Sequence, residues 1–210
     1  MIRAFIVDDH AILRRGIRDI LSDGEGIEVV GEAQDYNELR NKMRNLQIDV
    51  LLLDVNLPGK NGIDILKTLR EEHPRVKVLM LSMYPEDQYA LRALKAGAWG
   101  YLNKASAPEQ LLDAVAQIMA GRKFITPAIA QSLADNLSSD TSELPHTKLS
   151  DREFQTLCLM ASGNRLADIA ATLALSPKTV SVYRARILEK MGMSHNAELT
   201  HYALKHKLVE

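Results

Sequence analysis

Five positions in the first half of the chain carry side chains suited to phosphoryl chemistry, and each stands where an apolar run stops. Asp8 and Asp9 follow AFIV, Asp54 follows VLLL, Ser82 follows VLML, and Lys104 comes directly behind GYLN. A carboxylate delivered by a buried strand can attack phosphorus and form an aspartyl-phosphate, so Asp54 is the candidate nucleophile. Three carboxylates held together repel one another and are costly to remove from water, which calls for a cation. An all-oxygen acidic site with room for water suits Mg²⁺, an ion commonly shared with phosphate oxygens. The Lys104 ammonium and the Ser82 hydroxyl would then meet negative charge on the transferring group. Taken singly, each residue has a plainer reading: a turn aspartate, a strand-end hydroxyl, a solvated lysine.

Elements must bring these groups together, and the apolar periodicity supplies them. Residues 3–7, 27–32, 50–53, 76–81 and 99–102 read as strands; residues 11–21, 36–46, 63–72, 86–96 and 109–120 read as helices. The first helix carries Ile12, Leu13, Ile17, Ile20 and Leu21 at helical spacing. Five β-α units in series predict right-handed crossovers and a doubly wound, all-parallel five-stranded sheet covered on both faces, an α/β fold whose strand order the pattern leaves open. Such a sheet sets the carboxyl ends of its strands along one rim, where open α/β sheets bind ligands. Leu57-Pro58-Gly59 and Gly62 break regular structure after Asp54 and leave it at a strand-to-loop junction.

In this order and spacing, IVDDH, LLLDVNLPGKNG, MLS and GYLNK resemble a response-regulator receiver domain, over about residues 1–125. The resemblance implies that Asp54 is the phosphoacceptor. It implies that Asp9, Asp54 and the Asn56 backbone carbonyl ligate Mg²⁺, with Asp8 assisting through water. Ser82 and Tyr101 match the family's switch pair, in which the hydroxyl moves toward the phosphate and the ring follows inward. Ala105 departs from the pattern, since many receivers have proline after the lysine. A Mg²⁺-dependent aspartyl phosphohydrolase is the rival reading; it would want a second carboxylate two residues beyond the first, where this chain has Asn56.

Residues 126–148 are expected to be a linker. A possible short helix over 124–137 gives way to the polar stretch SSDTSELPHTK, which holds a proline and lacks apolar periodicity. From 149 onward no strand pattern occurs. Ser150-Asp151-Arg152-Glu153 is a capping box for a helix ending near Gly163, and a second helix covers 165–173 before a turn at Ala174-Leu175. Ser176-Pro177 starts a third helix running to Met191, and 197–204 forms a fourth. Two short helices joined by a tight turn make a helix-turn-helix. On the third helix Val180, Tyr183, Ile187 and Met191 form one stripe for burial. Lys178 and Thr179 would then lie near phosphates, Ser181, Val182 and Ala185 toward base edges, and Arg184 and Arg186 within reach of backbone or bases, with Lys190 a further DNA-binding candidate. The plainer reading is an amphipathic surface helix. Residues 149–210 hold 8 Lys and Arg against 6 Asp and Glu, whereas the rest holds 18 against 21, the sign expected for nucleic-acid contact by the second half.

LSDREFQTL, the ADIAATLALSPKTVSVYRARILEKMGM run and AELTHYAL resemble the LuxR-type four-helix DNA-binding domain of the NarL/FixJ response regulators, and SPKTVSVYRARI is similar to the GacA/UvrY type. Ala167-Asp168 replaces the lysine-glutamate pair usual in the second helix, and small side chains at 181, 182 and 185 shift the binding toward Lys178, Arg184 and Arg186. The resemblance implies a cognate sensor histidine kinase or phosphotransfer protein, promoter DNA as a partner, and a homodimer, through the fourth helix or through helices one and five of the receiver. A regulator that binds DNA independently of phosphorylation is the alternative. With 210 residues, 46% hydrophobic, the chain can fill two cores, and its single cysteine, Cys158, excludes an internal disulfide. No secretory signal pattern or apolar stretch of membrane-spanning length is visible, so a cytoplasmic protein without membrane association is expected.

Overall fold

The computed structural model describes every residue except 84, 85, 139–143, 207 and 210; for 86–88 and 135–138 it describes the backbone alone. The chain divides into two compact units, residues 1–138 and 139–210.

The first unit runs β1 (Ile2–Val7), α1 (Ala11–Ser22), β2 (Ile27–Ala33), α2 (Tyr36–Met43), β3 (Val50–Asp54), α3 (Gly62–Glu72), β4 (Lys77–Ser82), α4 (Glu86–Ala96), β5 (Gly100–Asn103), α5 (Ala107–Met119) and α6 (Pro127–Ser138). All neighbouring strands are parallel, in the order β2-β1-β3-β4-β5. β3 therefore has partners on both sides and helices over both faces, and all five of its residues are buried. This explains why its sequence is continuously apolar rather than alternating. One face packs Ala4, Ile6, Val50, Leu52, Leu79 and Leu102 against Ile17, Leu21, Leu111, Val115 and Ile118 of α1 and α5. Each fully buried Leu, Ile or Val side chain contributes roughly 1.5–3 kcal/mol to this core.

Two local expectations are corrected. Ile12 is 87% exposed, although it falls in an apolar run. It lies about 140° around the helix from Ile17 and about 180° from Leu21, so it points away from the sheet that they cover. α2 stops at Met43, a buried residue, and 44–46 leave the helix before the chain turns into β3.

Residues 126–148, expected as a linker, include α6, which packs against α4 within the first unit, and a short 3₁₀ turn at Pro145–Lys148; 139–143 of that stretch lie outside the described residues. The second unit continues with α7 (Asp151–Ala161), α8 (Leu166–Thr172), α9 (Pro177–Met191) and α10 (Asn196–Lys205). Ser150 and Glu153 make both bonds of the capping box at the start of α7. Ala174, at φ +51°, makes the turn between α8 and α9. The Ser176 hydroxyl accepts the Thr179 N–H at the start of α9, and Gly192, left-handed at φ +65°, ends it.

Candidate functional site

Strand register carries the first-half candidates to one place. Val7 is level with Leu53, so Asp8 and Asp54 leave neighbouring strands side by side. Asp54 is level with Leu81 and Ser82 with Asn103, which puts Ser82 and Lys104 each one residue beyond. The Lys104 N–H donates to the Ser82 carbonyl at 2.8 Å and fixes the end of β5 against β4. The chain crosses from β2 to β3 around β1, so the β1/β3 ends form the switch point where ligands enter such sheets.

Asp8, Asp54 and Ser82 are buried, Asp9 lies on the exposed side, and Lys104 reaches in from the edge. The Lys104 Nζ stands 2.6 Å from Asp8 Oδ2 and 2.8 Å from Asp54 Oδ2. The other carboxylate oxygens accept main-chain N–H groups: Asn56 donates to Asp54 Oδ1 at 3.0 Å and His10 to Asp8 Oδ1 at 2.8 Å. Arg14 donates to the Asp8 carbonyl at 2.5 Å and also pairs with Glu32, bracing the end of β1. Burial pushes the Asp54 carboxyl up to about 6, with the Lys104 charge opposing the rise and the Asp8 charge adding to it. At Lys104 burial works against the ammonium, but the pull of Asp54 and Asp8 outweighs it and its pKa lies above the ordinary value.

The loop after Asp54 is held by close packing. A Cβ on Gly62 would fall 2.1 Å from the Asp54 carbonyl oxygen, so only glycine lets α3 start there. The Gly62 N–H donates to the Val55 carbonyl at 2.9 Å, and the Asn61 side chain accepts the Ile63 N–H. On β5, Tyr101 is fully buried and level with Met80, two residues before Ser82 and so on the same face. The Ala105 N–H donates to Asn103 Oδ1 at 2.8 Å, a bond that proline could not make.

Ligand atoms of Asp8, Asp9, His10 and Asp54 all lie within 4.8 Å of one another. Two of the carboxylates there, Asp8 and Asp54, hold the Lys104 ammonium, and the hard oxygens of all three fit a divalent cation such as Mg²⁺. His10 joins this group from outside the set of strand-end acids. Its position directly after two acids, where a helix start ordinarily takes Ser, Thr, Asp or Asn, was the available signal.

In the second unit Val180, Ile187 and Met191 of α9 are buried and Tyr183 is half-buried, while Lys178, Ser181, Val182, Ala185, Arg186 and Lys190 are exposed. Thr179 is half-buried beside the Ser176 cap. Two cations of α9 have partners that sequence spacing did not reveal. Arg184 Nε donates to Asn196 Oδ1 at the start of α10 (2.6 Å), and Lys190 Nζ pairs with Glu153 of the capping box (2.6 Å).

Residues 4–116 match the response regulator receiver domain, and residues 147–203 match the luxR family of bacterial regulatory proteins. The chain belongs to the two-component response regulators with a LuxR-type DNA-binding domain. The regulator is 39% identical to the response regulator GacA of Pseudomonas protegens over 210 residues, spanning 100% of this chain and 99% of that one. It is 36% identical to the response regulator UvrY of Escherichia coli over 209 residues, 99% of this chain and 96% of the relative. Among solved structures it resembles RcsB of Salmonella enterica serovar Typhimurium bound to promoter rprA in the presence of the phosphomimetic BeF3⁻, with a TM-score of 0.67, 27% identity and 96% and 97% of the two chains covered. As a two-component response regulator it acts as a transcription factor. Receiver domains bind Mg²⁺ at acidic pockets of the kind formed here by Asp8, Asp9 and Asp54. Among the described residues no helix is long and apolar enough to cross a membrane.

Proposed function

We propose that this regulator accepts a phosphoryl group on Asp54 from a sensor histidine kinase or phosphotransfer protein, and that the modification changes how its helix-turn-helix domain, as a cytoplasmic homodimer, engages promoter DNA. The observation that carries this reading is the buried Asp54 carboxylate at the end of the central strand with the Lys104 ammonium 2.8 Å away. An Asp54 carboxylate oxygen forms the bond to phosphorus while the phosphorus–nitrogen bond of the donor imidazole breaks, and the electron pair leaves with that nitrogen. Lys104 turns from its two carboxylates toward the phosphoryl oxygens, and the Ser82 hydroxyl donates to one of them. Asp9, Asp54 and the Asn56 carbonyl would hold Mg²⁺, with Asp8 reaching it through water, and the bound ion would supply positive charge at the phosphoryl oxygens.

With Ser82 drawn toward phosphate, Tyr101, level with the residue two before Ser82 and on the same face, would register the movement and bias a population between two arrangements. The role of DNA is supported by the luxR-family match and by the promoter complex of RcsB. On α9, Lys178 and Thr179 would meet phosphates, Ser181, Val182 and Ala185 would face base edges, Arg184 and Arg186 would reach backbone or bases, and Lys190 would add a contact only by releasing Glu153. Such a receiver is a self-modifying switch rather than a turnover enzyme.

Incubating the full chain with Mg²⁺ and a small-molecule phosphodonor tests the reading. One hydroxylamine-labile phosphoryl adduct is expected by mass spectrometry, absent from Asp54→Asn. An undiminished adduct in that variant, or steady phosphate release without an adduct, overturns it; the latter outcome would indicate a phosphohydrolase.

A further inference from the structure

Arg184 differs from Arg186 and Lys190 in both its place on α9 and its partner. Around the helix it lies about 60° from the buried Ile187 on one side and about 60° from the exposed Ser181 on the other, at the rim between the core stripe and the outward face. Its Nε donates to Asn196 Oδ1, 2.6 Å away at the first position of α10. Arg186 is exposed on the other side of Ile187, and Lys190 is taken by Glu153. His195 holds the N-cap position of α10 without a side-chain capping bond, and the Asn196 oxygen beside it serves α9.

A support has to be fixed before it can fix anything else, and α10 is well held. Leu199 and Ala203 are buried, and the Tyr202 hydroxyl lies 2.8 Å from His146 Nδ1. The turn leading from α9 is held as closely. Behind the left-handed Gly192, the Met193 N–H donates to the Leu188 carbonyl at 2.9 Å and the Ser194 N–H to Glu198 Oε2 at 2.6 Å. Asn196 therefore stands at a set distance from Arg184. With Nε engaged, the planar guanidinium keeps its terminal Nη groups for paired bonds to a phosphate or to guanine O6 and N7. An arginine already held in one plane gives up less side-chain freedom on binding than one that samples many rotamers.

We propose that Asn196 is a positioning residue for DNA recognition: it orients the Arg184 guanidinium so that the Nη groups meet the duplex in one pose, which makes Arg184 the sequence-discriminating cation of α9. The proposal rests on the reading that α9 contacts DNA and that Arg184 belongs to the contact. Asn196 is uncharged, so its effect passes through the geometry of the Arg184 contact and leaves the phosphate electrostatics alone. Lysine cannot stand in for the arginine, because its ammonium offers neither the Nε–H that Asn196 accepts nor a planar fork.

The full chain, treated with Mg²⁺ and a small-molecule phosphodonor, is titrated by anisotropy against a duplex that it selects from a random pool and against a random-sequence duplex. Asn196 is exposed and Arg184 half-buried, so the variants are expected to fold, which denaturant titration checks. Asn196→Ala should weaken binding to the selected duplex on the order of tenfold, weaken binding to the random duplex by less than about twofold, and leave the salt slope unchanged. In an Arg184→Lys background, where the charge stays but the Nε bond is gone, the same Asn196→Ala change should cost less than about twofold. Equal losses in the two backgrounds overturn the proposal and make Asn196 only a structural part of α10. Tighter binding by Asn196→Ala also overturns it, since Asn196 would then hold Arg184 away from DNA. If Arg184→Ala binds both duplexes as the unaltered chain does, the placing of Arg184 in the contact surface fails and the proposal with it. A costly Arg184→Ala beside a silent Asn196→Ala overturns the proposal alone.

Discussion

The Lys104 ammonium lies 2.8 Å from Asp54 Oδ2 while also touching Asp8 Oδ2 at 2.6 Å, so one buried cation serves two buried acids. Removing one partner of a buried ion pair typically costs 3–5 kcal/mol, because an uncompensated charge remains. Here Asp54 can take a proton, which softens the loss. Lys104→Met is expected to lower the unfolding free energy by about 2 kcal/mol at neutral pH without divalent metal. Mg²⁺ should then raise the urea midpoint more in the variant than in the unaltered protein, since the ion meets more uncompensated charge. Urea titrations with and without Mg²⁺ decide this, and equal responses to the ion would contradict it.

The position of Asp54 makes stability fall as pH rises. Its carboxyl holds a proton up to about 6 in the fold, chiefly because it is buried, against an ordinary value of 3.8. Between those values the folded chain binds more protons than the unfolded one, so this group's penalty develops as pH climbs and is complete above about 6. A shift of about two units corresponds to about 3 kcal/mol. Asp54→Asn should therefore be more stable than the unaltered chain by about 2–3 kcal/mol at pH 7 in the absence of metal, with the two converging near pH 4. Asp49, whose hydrogen bonds with Arg3 hold its carboxyl down at about 2, pulls the pH profile the other way but does so in both proteins. The difference between the two urea-derived curves isolates Asp54, and a constant difference across this range would refute the assignment.

Much of this site could be read from residue order because its groups stand at strand ends. In a parallel sheet, knowing that Asp8, Asp54, Ser82 and Lys104 each follow an apolar run is enough to put them on one rim. The side-chain partners were not legible, because they depend on strand order and rotamers. Nothing in the spacing says that β1 and β3 are neighbours, and without that neither the shared hold of Lys104 on Asp8 and Asp54 nor the bracing of Asp8 by Arg14 follows. Ile12 escapes the stripe for a simpler reason: Leu13, not Ile12, lies one turn before Ile17, and a single residue swings the side chain by about 100° around α1. Gly62 read as a loop breaker, whereas its main task is to let α3 pass the Asp54 carbonyl.

That close approach gives a sharp contrast between two glycines. A Cβ at Gly62 would stand 2.1 Å from the Asp54 carbonyl oxygen and 2.9 Å from the Val55 Cα, both rigid backbone atoms. Gly62→Ala must displace the loop that carries Asn56, and a loss of about 3 kcal/mol is expected, together with slower acquisition of the phosphoryl adduct. Gly16 lies within α1 with nothing within 4 Å of its Cβ position. Gly16→Ala should stabilise the chain by about 0.5–1 kcal/mol through helix propensity alone and leave the adduct rate unchanged. Denaturant titration and adduct formation followed on both variants check the pair, and a tolerated Gly62→Ala would show that the loop yields more easily than this packing allows.

The cations of α9 should separate by how they are tethered. Arg186 is exposed, Arg184 is half-buried with its Nε on Asn196, and Lys190 is held by Glu153. Each phosphate contact on duplex DNA contributes about 0.9 to the slope of log affinity against log salt concentration. Arg186→Ala should reduce that slope by about 0.9 on a random-sequence duplex, and Arg184→Ala/Arg186→Ala by up to about 1.8. Lys190 can meet a phosphate only by giving up Glu153, which would leave that nearly buried carboxylate without its cation. Lys190→Ala is therefore expected to change the slope by less than Arg186→Ala and to lower the stability of the helical unit by about 1 kcal/mol, more than an isolated surface pair would, because Glu153 also accepts the Ser150 N–H that closes the capping box. Anisotropy titrations over a series of salt concentrations, with denaturation of the same proteins, measure both quantities. A larger slope change for Lys190→Ala than for Arg186→Ala would mean that the Glu153 pair opens on DNA and that Lys190 belongs to the contact surface.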